Sequence, residues 1–276
     1  MNNLEKDIKV ALSLLSGEID ARGLENYKKI NSTNCENLGD YFKYFSFRNN
    51  VLTFLDSGDK ILQAVSMGAK SIYTFYNNPL ELYIAKLKMV CSFYYNLDKF
   101  KNFFYNEDGV SYFAKDYYDS VKYYLDNDTR VFWDEIYSHI EYKQQLDNLI
   151  VGPNKNNNKG LCSYLNEINY LTLKEKISDL DIKFYCSDIY DVLSKISNDI
   201  KFSSVFLSNV FDSMTFKDKI MYPLFIKHDL DKFLQDKGKV VVYSSPSGKI
   251  DNALSIIFED TIKYDNNKVI VYKKTK

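Results

Sequence analysis

The sequence is poor in the residues that most often announce a chemistry. It has two histidines, His139 and His228, and four cysteines, Cys35, Cys91, Cys162 and Cys186, with no CxxC pair and no histidine cluster near them. That scatter speaks against structural zinc and against a disulfide framework. No Ser–His–Asp or Cys–His set can be assembled from it. His139 sits in the helical stretch FWDEIYSHIEY, where packing or surface exposure is the ordinary role, and His228 precedes Asp229 with no partner that the sequence identifies. Arginine occurs only at Arg22, Arg48 and Arg130, and 36 basic against 37 acidic side chains leave no electrostatic footprint of a general nucleic-acid binder. No window reaches the ~18 uninterrupted apolar residues that a membrane helix needs. The opening stretch, MNNLEKDIKVALSLLSGEID, mixes acids with lysines and lacks the apolar centre of a signal peptide. The expectation is a cytoplasmic protein with no membrane span.

What is present is a large apolar inventory. Of 276 residues, 45% are hydrophobic, enough for a full core, and 24 Tyr with 19 Phe make the chain unusually aromatic. The most informative segment runs from Val51 to Lys88. An apolar run, Val51–Leu55, ends in Asp56-Ser57-Gly58-Asp59; an amphipathic helix pattern follows to Met67, and Gly68 closes it. A second apolar run, Ser71–Phe75, leads to the polar tip Tyr76-Asn77-Asn78-Pro79. Strand, tight turn, helix, strand is a βαβ unit, which builds a parallel sheet with a ligand crevice at the strand carboxyl ends. Gly58 lets backbone approach a ligand without a Cβ in the way, and the helix start offers free N–H groups.

Further strand patterns lie at 181–186, 203–208, 239–243, 260–264 and 268–273, the last two flanking the hairpin signal Asp265-Asn266-Asn267. The fold expected is α/β: a Rossmann-like, seven-stranded, mainly parallel sheet with an antiparallel last strand. Residues 1–92 and 179–276 form this core with its amino-terminal helix, in which Leu4, Ile8, Ala11 and Leu15 recur at helical spacing. Residues 93–178 read as a helical, aromatic-rich insertion, far longer than an ordinary strand-to-helix connection. Its low-complexity piece, Gly152–Gly160, is a loop pattern. The insertion leaves the sheet at the ligand edge and so is expected to cap the crevice. Its pairs Tyr94-Tyr95, Tyr117-Tyr118 and Tyr123-Tyr124 suit helix core with wet hydroxyl edges.

The candidate binding residues follow from the strand ends. Asp56, Ser57, Gly58 and Asp59 occupy the first. Asp59 either accepts hydrogen bonds from a ligand or is a favourable acid at a helix amino terminus, worth ~0.5–1 kcal/mol. At the second end, Asn78 reads as a helix cap before Pro79, with Tyr76 or Asn77 facing the crevice. Asp188, after the third run, could accept from an adenine amino group or simply cap the following helix. Asn209 and Asp212, after the fourth, are the candidates for contact with the transferred group or its acceptor.

The Val51–Lys88 layout, with TNCENL at Thr33–Leu38 and SNVFD at Ser208–Asp212, resembles the betaine-lipid synthase-like aminocarboxypropyltransferases and their uncharacterised bacterial relatives. These have the class I fold of S-adenosylmethionine (SAM) dependent methyltransferases. Their first strand is followed by a pattern like G-S-S-G-D and their second by D-I-N-P, which Ser57-Gly58-Asp59 and Asn78-Pro79 match. Leu55 stands where the glycine would be, Asp56 where the first serine would be, and Tyr76 where the ribose-binding acid would be. Losing that carboxylate removes a charge-assisted contact worth ~1.5–3 kcal/mol. The resemblance implies SAM as cofactor and transfer of a methyl or 3-amino-3-carboxypropyl group to a small-molecule substrate. The alternative is a non-catalytic binding or regulatory module with a degraded SAM pocket.

Overall fold

The computed structural model describes residues 3–18, 26–33, 36, 38, 44, 49–141, 145–153, 162–208, 221–222, 224–244, 260–264 and 267–274. Among them, no helix is long and apolar enough to cross a membrane. The chain divides into two compact units, 38–54 with 67–75 and 180–276, and 1–37 with 55–66 and 76–179.

The first unit holds the sheet. Its strands are β1 (Asn50–Phe54), β2 (Ser71–Tyr76), β3 (Asp181–Cys186), β4 (Phe202–Ser208), β5 (Leu234–Ser244), β6 (Asp260–Tyr264) and β7 (Asn267–Lys273). They lie in the order β3-β2-β1-β4-β5-β7-β6. Register pairs six of them, and β3 joins the order beside β2 at the edge. β1 runs parallel to both neighbours, Leu52 lying opposite Tyr73 of β2 and Val205 of β4. Val51, Leu52 and Thr53 are buried in succession, so both faces of β1 are covered; a run apolar but for one threonine is what such a strand shows, which is why Val51–Leu55 is readable as one. β7 is antiparallel to β5 and to β6, with Val241 opposite Val271 and Tyr264 opposite Asn267. The mainly parallel α/β sheet with an antiparallel last strand is therefore as expected; the hairpin tip, Asp265 and Asn266, lies outside the described residues. Leu52, Phe75, Val205, Leu207, Val240 and Ile270 lie within one core cluster with side chains from the helix Ile189–Lys195.

β5 begins five residues before the apolar run that announced it. Its register against β4 shifts between Phe202 and Ser204, and at this irregularity a Cβ on Gly238 would lie 2.9 Å from the Phe202 carbonyl oxygen. Only glycine admits that approach.

The second unit is mainly helical: α1 (Asn3–Ser16), α2 (Asp59–Ser66), α3 (Leu80–Tyr94), α4 (Leu97–Tyr105), α5 (Asn127–Ser138) and α6 (Glu167–Lys176), with shorter helices at Lys115–Asp119 and Leu146–Leu149 and a parallel pairing of Ile30–Asn31 with Ile150–Val151. The sequence reading assigned α1, α2 and α3 to the sheet domain; here they are grouped with 93–178. Trp133 of α5 shows why, since its Nε1–H donates to the Tyr83 carbonyl of α3 at 3.0 Å, and Phe132 stacks on the Tyr83 ring at 3.9 Å. α1 buries Ala11 and Leu15 as its spacing suggested, but Leu4 and Ile8 are only half-buried and the buried face is shifted toward Asp7, Val10 and Leu14. Asp7 is buried with Val10, Ala11, Leu14 and Leu15, because its carboxylate accepts from Tyr27 and Tyr83 hydroxyls, each at 2.7 Å. Buried polar atoms of this kind must find partners. The tyrosine pairs divide. Tyr95 and Tyr118 are buried, and their hydroxyls donate to the Tyr117 carbonyl and to Asp134, whereas Tyr94, Tyr123 and Tyr124 are exposed.

Candidate functional site

The turn after β1 has the tightness its residues suggested. The Gly58 N–H donates to the Leu55 carbonyl at 2.9 Å. Asp56 (φ 47°) and Gly58 (φ 85°) both take left-handed backbone, a region open to glycine and, at some cost, to aspartate. The missing Cβ of Gly58 serves packing within the chain: a Cβ there would stand 3.0 Å from the Cα and the Cβ of Ala85 on α3.

α2 starts at Asp59 and is buried on every side, Lys60, Gln63 and Ser66 included. Such a helix needs polar partners throughout. The Asp59 carboxylate is fully buried and accepts hydrogen bonds from Lys88 Nζ of α3 at 2.5 Å, from Tyr164 at 2.7 Å, and from Ser57 Oγ at 3.0 Å. The Tyr105 hydroxyl stands 2.9 Å from that of Tyr164, extending the chain of hydrogen bonds. Lys60 lies 3.5 Å from Glu36, both side chains buried. Gln63 is clamped to Ser163 at both ends of its amide, at 2.6 and 2.9 Å.

Beside this network sit two further carboxyl groups. Asp56 is buried and takes one bond from Asn31 Nδ2 at 3.4 Å. Burial raises its pKa, the Asp59 charge adds to that, and Lys60 opposes it. Glu81, in the first turn of α3, is pushed up to about 8 by burial and then by Asp56, against Lys60 and Lys28. Its Oε2 is buried and, among the described residues, has no hydrogen-bond partner.

At the end of β2, Tyr76 is buried, and its phenol lies near enough to raise the Tyr83 pKa. Asn77 is exposed. Asn78 caps as expected: its Oδ1 accepts from the Leu80 N–H at 3.3 Å, and its Nδ2 donates to the Lys28 carbonyl. Asp188 belongs to the sheet unit, where it is exposed and caps Ile189–Lys195 by accepting from the Asp191 N–H at 2.9 Å. Asn209 and Asp212 lie outside the described residues. His139, beside Glu135, and His228 are both exposed. Among the described residues there is no group of three or more His, Cys, Asp or Glu that could hold a metal.

Sequence reasoning missed Lys88, Tyr164, Asn31 and Glu81. Lys88 carried a signal, because it follows Leu80, Ile84 and Leu87 on the buried stripe of α3 and is itself fully buried. Glu81 carried another, standing 23 positions after Gly58, near the spacing at which dinucleotide folds place a ribose-binding acid. Tyr164 carried none: it meets Asp59 from 105 residues away.

No family model matches this chain, and no curated protein does. Solved structures that match in layout include a conserved hypothetical protein from Streptococcus pyogenes, with TM-score 0.41 and 11% identity over 86% of this chain and 94% of that one. An RNA methyltransferase from Salinibacter ruber, solved with S-adenosyl-L-homocysteine, gives 0.38 and 8% over 88% and 94%. The N-methyltransferase NodS from Bradyrhizobium japonicum gives 0.40 and 8% over 86% and 94%. Likenesses of that size identify no shared site.

Proposed function

We propose that this chain is a SAM-dependent transferase whose adenosyl ligand is held at the Asp56–Asp59 turn. The observation that carries the reading is the orphaned acceptor on Glu81, set beside the buried carboxyl of Asp56. Among the described residues, the side chains of Lys60 and Lys88 and the charge of Lys28 act on a group of buried carboxyls, those of Glu36, Asp56, Asp59 and Glu81. A buried carboxyl oxygen without a partner among the described residues suits a ligand that brings hydroxyl donors, and SAM brings a ribose diol. The residues present therefore fit the group. The turn's position after the central strand of a mainly parallel sheet supports the same reading, because ligands of such sheets bind at strand carboxyl ends. When bound, SAM supplies carbon centres on a sulfonium that are open to in-line displacement. The protein's share is to orient the ligand, present the acceptor and keep water away. Asp56 and Glu81 would receive hydroxyl hydrogens, and the aspartate's left-handed backbone directs its side chain from the turn.

The resemblance to the betaine-lipid synthase-like enzymes favours aminocarboxypropyl transfer, and the wider fold favours methyl transfer. The nucleoside product separates them: methyl transfer leaves S-adenosylhomocysteine and aminocarboxypropyl transfer leaves methylthioadenosine. The direct test of the site is calorimetric titration with S-adenosylhomocysteine, in which wild type binds and Asp56→Ala with Glu81→Ala does not. A non-catalytic module is the second reading, favoured by Asp59 having its oxygens bonded to Lys88, Tyr164 and Ser57. Wild type that ignores both SAM and S-adenosylhomocysteine at millimolar concentration would favour that module.

A further inference from the structure

We propose that Tyr164 is a positioning residue that holds the Ser57–Gly58 turn through Asp59, and that it thereby controls adenosyl-ligand affinity. The second half of this rests on the ligand reading above. Asp59 is the only described side chain to which Ser57 Oγ donates, at 3.0 Å, and Ser57 is fully buried. The orientation of that carboxylate thus decides where the turn's hydroxyl points, and through it steadies the turn whose Gly58 N–H closes on the Leu55 carbonyl. Tyr164 OH sits 2.7 Å from Oδ1, on the same oxygen as Lys88, and Tyr105 backs it at 2.9 Å. A phenol between a second phenol and a carboxylate has little orientational freedom, and in a buried site each bond strengthens the next. The residues around Tyr164 are anchored separately, since Ser163 is clamped to Gln63 one turn further along α2. The short stretch Cys162–Leu165 therefore touches α2 twice: once for attachment, at Gln63, and once at the turn, through Asp59.

That double attachment supplies its own control. Tyr164→Phe removes only a hydroxyl and keeps the ring, which is fully buried. Ser163→Ala removes a bond from the same stretch to the same helix without touching Asp59. Two readouts are compared at a temperature where all variants are folded: the Kd for S-adenosylhomocysteine by calorimetry, and amide hydrogen exchange at Gly58. Tyr164→Phe should raise Kd about tenfold and speed exchange at Gly58, while Ser163→Ala leaves both at wild-type values even if it lowers the unfolding midpoint as much. Equal changes in the two variants, or no change in either, would overturn the proposal and leave Tyr164 a packing residue. If wild type binds no S-adenosylhomocysteine at all, the ligand reading and the affinity half fall together. Exchange at Gly58 then still decides whether Tyr164 holds the turn.

Discussion

Removing the Asp59 carboxylate tests how much of the helical unit hangs on its buried ion pair. As an acid at a helix start, exposed to water, Asp59 would contribute ~0.5–1 kcal/mol. Its surroundings make the figure larger. Lys88 is fully buried 2.5 Å away, with its ammonium 5.4 Å from the centre of the Phe104 ring and 5.6 Å from that of Tyr105. Asp59→Ala leaves that ammonium in an aromatic pocket without its carboxylate, a change that costs about 3–5 kcal/mol. It also strands the Tyr164 hydroxyl. Lys88→Met should cost a similar amount for the mirror-image reason, since it leaves the carboxylate behind. The double variant Asp59→Ala with Lys88→Met leaves neither charge and should be at least ~2 kcal/mol more stable than the sum of the single losses predicts. Urea unfolding followed by tryptophan fluorescence reads this locally. The one tryptophan of the chain, Trp133, is fully buried in the same unit and bonded to α3 at Tyr83. An Asp59→Ala midpoint within ~1 kcal/mol of wild type, or additive losses in the double variant, would refute the reasoning.

Glu81 should give stability a pH dependence. Its carboxyl keeps a proton in the folded state up to about 8 and ordinarily loses it near 4.5, so its contribution is complete below about 4.5 and is lost as pH rises through about 8; Glu81→Gln should flatten that slope in unfolding curves. If Glu81 takes ligand hydroxyls as a carboxylate, S-adenosylhomocysteine affinity should rise as pH passes about 8, and the glutamine variant should show no such rise in calorimetry. Gly58→Ala should cost about 2 kcal/mol or more, from left-handed strain and the 3.0 Å approach to Ala85, with Ala85→Gly restoring part of it in thermal melts. Of Cys91, Cys162 and Cys186, only the exposed Cys186 should be alkylated in the native protein; burial raises the thiol pKa of the other two, and peptide mass spectrometry reads the difference.

The order of elements along the chain was legible because it rests on local physics. A strand covered on both faces is mostly apolar, so Val51–Leu55 and Ser71–Phe75 stood out, and a turn that takes left-handed backbone calls for glycine or aspartate, so Asp56 and Gly58 marked it. The closing hairpin was legible for the same reason. Asn78 as a cap needed only its neighbours, Pro79 and Leu80. What the sequence could not determine was which groups would meet. Asp59 read either as an acceptor for a ligand or as an acid at a helix start, and neither reading could name Lys88 and Tyr164, which are 29 and 105 positions away. Gly58 looked like a close approach to a ligand, whereas the atoms nearest its missing Cβ belong to Ala85. Tyr76 occupied the place of a ribose-binding acid, and the spacing of Glu81 from Gly58 hinted at an acid there without saying that its oxygen would be buried, with no partner among the described residues, beside Asp56. Period and propensity act over a few residues and set the elements. The charge state and partners of a buried carboxylate depend on everything within several ångströms, and only the packed chain decides what that is.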